Sequence, residues 1–330
     1  MDVVSDAISA VRIGRPSSDR VRVSGAWCAR FAPYDGAGFH VVLEGGCWLL
    51  PDGGEPVVLG AGDAVLLPHG TGHVIADAPA DAAALARAVP FEELSAGRRG
   101  HELGSGAGAG VVEMLCGKYR LDRSRSHPLM AELPQVVHLP NRVGSHVELR
   151  SAIDLLGREL DARGPGSCVA VPSLLDLLLV YMIRSWILAE GTPGAWPAVL
   201  GDPVTSAALR ALHTDPAAAW TIERLAAEAG VSRPTLARRF TALVGRPPMA
   251  YLTWWRLNLA ATLLRDTADP LSAVARRVGY GTPYALSHAF SREYGTTPGR
   301  YRAEGAVAVA ATSVPPTVAA AHIEAATAGL

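Results

Sequence analysis

The period of the apolar positions changes along the chain, and each change marks a region. Between about residues 10 and 115, short apolar runs such as Val57–Leu59 and Ala64–Leu67 are separated by Gly, Pro and Asp. That pattern predicts short strands in a sandwich or small barrel. From Ser151 to Gly191 the spacing turns helical. Ile153, Leu156 and Leu160 share one face; Leu174, Leu175, Leu178, Tyr181 and Met182 share that of a second helix, ended near Gly191 and Pro193. Residues 202–302 are helical again, with regular turn signals. Beyond Glu304 the chain is Ala-rich and contains Pro315-Pro316, which predicts a disordered tail.

The third region repeats itself. One unit reads Ile222, Leu225, Ala226, Ala229, Gly230, Val231, Ser232, Leu236, Phe240, Gly245, Pro248, Tyr251. The other reads Leu271, Val274, Ala275, Val278, Gly279, Tyr280, Thr282, Leu286, Phe290, Gly295, Pro298, Tyr301. The offset is 49 residues through Val231/Tyr280, just after the glycine, and 50 from Ser232/Thr282 onward, so one residue is inserted in the turn. Each unit opens with one apolar helix face, breaks at a glycine suited to the left-handed position, and restarts at a Ser or Thr that can cap a helix. Helix, short Gly turn, helix is the helix-turn-helix pattern, whose second helix presents its N-terminal residues to base edges. The exposed donors there are Arg233, Thr235, Arg238 and Arg239 in the first unit, and Tyr284, Ser287, His288 and Arg292 in the second. Arg pairs bidentately with guanine and Ser or Thr bonds any base. One long helix is expected between the units, from Pro248 to Arg265.

Charge sharpens this division. The net charge of the chain is -1, which excludes a uniformly basic coat for nucleic acid. By region it is -5 for residues 1–200 and +6 for 201–302, where 13 arginines face 7 acidic residues with no lysine. The chain has a single lysine, Lys118. The four cysteines, Cys28, Cys47, Cys116 and Cys168, include no CxxC pair, which fits a reducing cytoplasm. The N-terminus has no basic segment followed by an apolar one, so no signal peptide is expected. Leu174–Ala189 is short for a membrane span and holds Asp176 and Arg184, so no membrane is expected as a partner.

Residues 202–302 resemble the DNA-binding domain of AraC-type transcription regulators. The segment Val278-Gly279-Tyr280, Phe290, Gly295-Thr296-Thr297-Pro298 and Tyr301-Arg302 is similar to that family's signature. Two departures stand out: His288 where many members carry Arg, and Pro234 early in the first recognition helix, which suits a first helical turn. Upstream, Gly62-Asp63-Ala64-Val65-Leu66-Leu67-Pro68-His69-Gly70-Thr71-Gly72-His73 resembles the second cupin motif. Phe39-His40-Val41-Val42-Leu43-Glu44-Gly45 resembles only the end of the first, without its upstream metal ligands. Leu115-Cys116-Gly117-Lys118-Tyr119, His127-Pro128-Leu129 and Leu133-Pro134 are similar to a subgroup of effector-sensing regulators.

Together these readings predict an α+β multidomain protein. A cupin-like β-barrel over residues 8–145 senses an effector. Dimerisation helices follow over 146–195, then an all-α domain with two helix-turn-helix motifs over 202–303, and the tail over 304–330. The expected function is sequence-specific transcription regulation, not enzymatic, controlled by a small molecule or redox state. The alternative is a metal-dependent cupin enzyme with an attached DNA-binding domain. Expected partners are double-stranded DNA, RNA polymerase, a small-molecule effector and a second copy of the chain. No metal or cofactor is expected. His40, Trp48 and His73 are the candidate effector-pocket residues, and Cys28 and Cys116 the candidate redox pair.

Overall fold

The computed structural model describes residues 3–79, 85–86, 88–91, 102–103, 111–121, 127–142, 144–162, 164–189 and 195–304. The expected disorder of the tail lies outside them. The chain forms two compact units, residues 1–258 and 259–330.

In the first unit the strands sort into two sheets. One has the order β11 (Val137–Leu139), β6 (Ala64–Leu67), β3 (Gly36–Glu44), β10 (Val112–Leu121), β1 (Arg12–Val23), β9 (Glu102–Leu103). The other runs β5 (Val57–Gly60), β4 (Gly46–Pro51), β7 (His73–Ala76), β2 (Cys28–Phe31), β8 (Val89–Pro90). This corrects the expected barrel: among the described residues no ladder joins the two sheets into a closed cylinder. The chain changes sheet at turns such as Gly45, whose φ of 77° places it in the left-handed region between β3 and β4. Among the described strands only β4 and β5 pair as neighbours in sequence; the others pair with strands more distant along the chain, within two separate layers.

Strand alternation explains the layering, because neighbouring residues point to opposite faces. Val42, Val65, Leu67, Met114 and Cys116 of the first sheet meet Cys47, Leu49, Leu59 and Ile75 of the second in one buried cluster. The intervening residues Phe39, Val41, Ala64, Leu66, Leu115 and Tyr119 belong to a different cluster, shared with helices. Those helices are α1 (Val3–Val11), α2 (Pro128–Glu132), α3 (Val147–Ala162) and α4 (Ser167–Leu188). The Tyr119 hydroxyl donates to the Leu175 carbonyl of α4 at 2.7 Å, and Arg20 of β1 pairs with Glu113 at 2.7 Å and with Asp161 of α3.

α4 is longer than its sequence pattern predicts. At 22 residues it is long and apolar enough to cross a membrane by length and composition, which corrects the shorter estimate. Leu175, Leu178, Leu179, Met182, Ile183 and Trp186 nevertheless bury one side of it in the core of the first unit.

The same core continues through α5 (Ala195–Gly201), α6 (Pro203–Thr214), α7 (Ile222–Glu228) and α8 (Arg233–Val244) into Tyr251, Leu252 and Trp255 of α9 (Pro248–Asp266). A chain of buried polar groups runs through it. His127 Nδ1 accepts from the Leu129 N–H at 3.1 Å, so its proton sits on Nε2, 3.1 Å from the Tyr251 hydroxyl. That hydroxyl lies 2.9 Å from His213 Nε2, and His213 Nδ1 lies 2.8 Å from the Asp6 carboxylate. Burial, and then the neighbouring His213, push the His127 pKa well down, so the ring is neutral. One hydroxyl thus ties α1, the cap of α2, and α6 to α9.

The second unit is built on the C-terminal part of α9, α10 (Leu271–Arg277), α11 (Pro283–Tyr294) and a last helical segment over 298–304. Leu264, Val274, Ala275, Val278, Leu286 and Phe290 are buried in it. Phe290 stacks on Tyr294 with ring centres 4.0 Å apart, and Tyr301 meets both edge-on. Arg302 donates to the Leu264 carbonyl at 3.2 Å and to the Asp269 carbonyl.

Tyr251→Phe leaves two buried imidazoles without their shared partner. Each unmade buried bond costs about 1–3 kcal/mol. The expected result is a lower urea midpoint, by at least that loss, with the far-ultraviolet circular dichroism of the folded state unchanged. A midpoint equal to wild type would show that the hydroxyl carries no such load.

Candidate nucleic-acid interface and internal cavity

The two repeat units fold by the same local chemistry. Gly230 and Gly279 end the first helices at φ of 69° and 79°, values that favour glycine. Ser232 Oγ then accepts from the Thr235 N–H at 3.4 Å, and Thr282 Oγ1 from the Ala285 N–H at 3.1 Å, capping α8 and α11. Pro234 and Pro283 occupy the first turns, where a missing N–H costs nothing. Leu236 with Phe240, and Leu286 with Phe290, are fully buried, which turns the opposite faces outward.

On α8 the predicted residues do not stand alike. Arg233 is exposed and pairs with Glu223 at 2.8 Å. Arg239 reaches Asp202 at 3.5 Å, and the Thr235 hydroxyl bonds Ser232 Oγ at 2.9 Å. Asp202, as cap of α6, is held below its usual pKa first by its bonds to Thr205 and then by Arg239. Arg238 is exposed and makes no ion pair among the described residues. On α11, Tyr284, Ser287, His288 and Arg292 line one shallow depression together with Ser291, which the sequence reading missed. Tyr284 is 81% exposed, an unusual position for a large aromatic side chain.

Between the two sheets lies a cavity of about 320 Å³. The first sheet contributes Ser17, Asp19, Gly38, His40, Cys116 and Lys118; Phe31 and His73 come from the second, and Phe91 and the segment 32–34 complete the wall. His40 and Cys116 are cross-strand neighbours on β3 and β10, and Phe31 and His73 on β2 and β7. Phe31 stacks on His73 with centres 4.7 Å apart and on Phe91 at 4.6 Å. Among the described residues the buried Tyr34 hydroxyl has no hydrogen-bond partner.

The hydrogen-bond directions in this cavity follow from one carbonyl. His73 Nδ1 lies 3.3 Å from the Thr71 oxygen, which can only accept, so the His73 proton is on Nδ1. His73 Nε2 is then an acceptor, and His40 Nε2–H donates to it at 2.8 Å. That leaves His40 Nδ1 to accept from the Cys116 thiol at 3.1 Å. Both rings are neutral: burial lowers His73 to about 4, and burial followed by the proximity of His73 lowers His40 well below its usual value. Burial likewise raises Cys116 well above an ordinary thiol.

The sequence-predicted pocket residues divide. His40 and His73 are brought into contact, but Trp48 does not line the cavity. Trp48 pairs with Ala76, which also pairs with Cys28, so these three share the sheet face turned away from the cavity. Cys28 and Cys116 therefore lie in different sheets on differently directed faces, and the fold does not bring them together. Among the described residues no group of three His, Cys, Asp or Glu side chains is arranged to hold a metal ion. The two histidines spend their facing nitrogens on each other, so the donor set does not fit a three-ligand cupin centre.

Comparison with known proteins finds two family models that match the chain. Residues 2–188 match the family model described as Cupin, and residues 225–304 that described as Helix-turn-helix domain. A Streptomyces antibioticus protein named as an AraC-like transcription regulator is 34% identical over 311 residues, covering 92% of this chain and 98% of its own. A similarly named Streptomyces lividans protein is 35% identical over 307 residues, covering 92% and 98%. The HTH-type transcriptional regulator AlkR of Acinetobacter baylyi is 27% identical over 310 residues, covering 92% and 99%. With a cupin domain ahead of a helix-turn-helix domain and such relatives over nearly its whole length, this chain belongs to the AraC-like transcription regulators.

Proposed function

We propose that this regulator reads DNA with both helix pairs and is controlled by a small molecule held between its sheets. The observation that carries the reading is the repeat of turn, cap and buried pair in α7–α8 and α10–α11. Each second helix turns a polar stripe outward, Arg233, Thr235, Arg238 and Arg239 on one and Tyr284, Ser287, His288 and Arg292 on the other. In this reading each stripe lies in a major groove, with Arg238 the direct reader on α8 because no acid competes for it. Arg233 and Arg239 exchange their acidic partners for phosphates.

The domain limits follow the same reading: 8–145 for the sensor, 146–195 for dimerisation, 202–303 for DNA binding. The exposed apolar residues Val147, Leu155, Val169, Leu177 and Leu188 on α3 and α4 support the dimer. The cavity supports a small molecule as the signal over a Cys28–Cys116 redox pair. RNA polymerase is the further partner and the cytoplasm the compartment. The protein acts as a regulator rather than an enzyme, in keeping with its relatives' names.

On a cognate operator, log K against log salt is expected to fall with a slope of about -0.9 per phosphate contact. Arg238→Ala is expected to lose roughly 1–3 kcal/mol at a single base pair and to relax specificity there. Equal affinity of wild type and variant for cognate and random DNA, in a fluorescence-anisotropy titration, would remove Arg238 from base readout. Sedimentation equilibrium at micromolar concentration is expected to give a dimer, and Leu177→Glu to weaken it at least tenfold. A wild-type protein that sediments as a monomer would overturn the dimer.

A further inference from the structure

The chain Cys116–His40–His73–Thr71 has a fixed direction and ends in the wall of a cavity. The thiol donates to His40, His40 donates to His73, and His73 donates to a carbonyl. Each nitrogen has one role, so a proton leaving Cys116 has a single route. It moves to His40 Nδ1 while the His40 Nε2 proton moves to His73 Nε2. The result is a thiolate at the cavity and a charge displaced to the far ring. A thiolate, not a thiol, is the nucleophile, and an adjacent base is the usual way to make one.

Two comparisons within the chain set this thiol apart. Cys47 is also buried, with its thiol pushed up to about 12, but among the described residues no imidazole bonds to it. Cys168 is exposed and borders no described cavity. Lys118, the single lysine of the chain, follows Cys116 by two residues on β10, on the same face and in the same cavity wall. Two residues along a strand span about 7 Å. That distance suits a thiol and an ammonium acting on the two ends of a conjugated carbonyl, given the reach of a lysine side chain. The remaining wall is aromatic, with Phe31 stacked between His73 and Phe91.

We infer that Cys116 is a covalent acceptor for small, flat α,β-unsaturated carbonyl compounds that enter this cavity. As the thiol proton passes into the relay, the sulfur pair attacks the β-carbon. The carbon–carbon π pair moves toward the carbonyl oxygen, where the Lys118 ammonium faces the growing charge. The enolate then takes a proton at its α-carbon and His73 releases one. The balance is addition of S–H across the double bond, with nothing oxidised or reduced overall. At rest the thiol and both imidazoles are neutral, with Asp19 and Lys118 the charged groups of the same wall, so the thiol stays inert until an electrophile fills the cavity. That the adduct alters DNA binding rests on the regulatory reading above; the adduct itself does not.

The test is a time course of the full-length protein with N-phenylmaleimide, followed by peptide mass spectrometry of all four cysteines. Cys116 is expected to react at least tenfold faster than Cys47. His73→Gln is expected to slow Cys116 at least tenfold and to leave Cys47 and Cys168 unchanged. Lys118→Met, at an exposed position, is the second variant and is expected to slow Cys116 at least threefold. A Cys116 rate no greater than that of Cys47, or one unmoved by either substitution, overturns the proposal. Anisotropy of a labelled operator is read on the same samples. Modification of Cys116 with unchanged DNA affinity refutes the regulatory link and leaves the adduct standing.

Discussion

The first unit depends on a sheet that is covered on both faces. β3, β6 and β10 turn one set of residues to the helices and the alternate set to the second sheet. Most positions on these strands are therefore constrained by packing, with Glu44, Lys118 and Arg120 the exposed ones, and buried polar side chains survive where they find partners. His40 and Cys116 are on the inner set, and the interior answers by linking them to each other and to His73. The cavity and its polar relay are thus consequences of the layering.

A second buried chain joins the sheet-bearing part to the helices that follow. Tyr251 stands between His127 and His213, and His213 against Asp6. Its geometry resembles that of the relay in the cavity: one role per nitrogen, and a backbone group that fixes the direction. Networks of this type hold one arrangement well and intermediate ones poorly. The core of the first unit runs from Val3 through α8 to Trp255 without a break. Packed side chains and one shared hydroxyl thus connect the helix-facing side of the first sheet to α8.

What was legible in the sequence was the local part. Gly230 and Gly279, the Ser232 and Thr282 caps and the Leu–Phe pairs each follow from chemistry within a few residues, and the fold places them as the repeat predicts. The cavity was only half legible. His40 and His73 are visible as polar residues in apolar runs, but their partner Cys116 lies 76 residues from His40, and only the register of β3 with β10 joins them. Trp48 misleads because it neighbours Cys47 and Leu49, which do face inward; alternation sends it to the other side. The closed barrel misleads for a related reason. Strand count and turn spacing are the same whether neighbours pair around a ring or in two layers, and the layer assignment is non-local.

The neutrality of the buried histidines has a consequence for what this protein is able to notice. A regulator with imidazoles at its centre is ordinarily a candidate for sensing acidity. Here burial has taken His40, His73 and His127 below the ordinary imidazole range. These three rings therefore stay neutral as pH moves through the range in which an ordinary imidazole titrates.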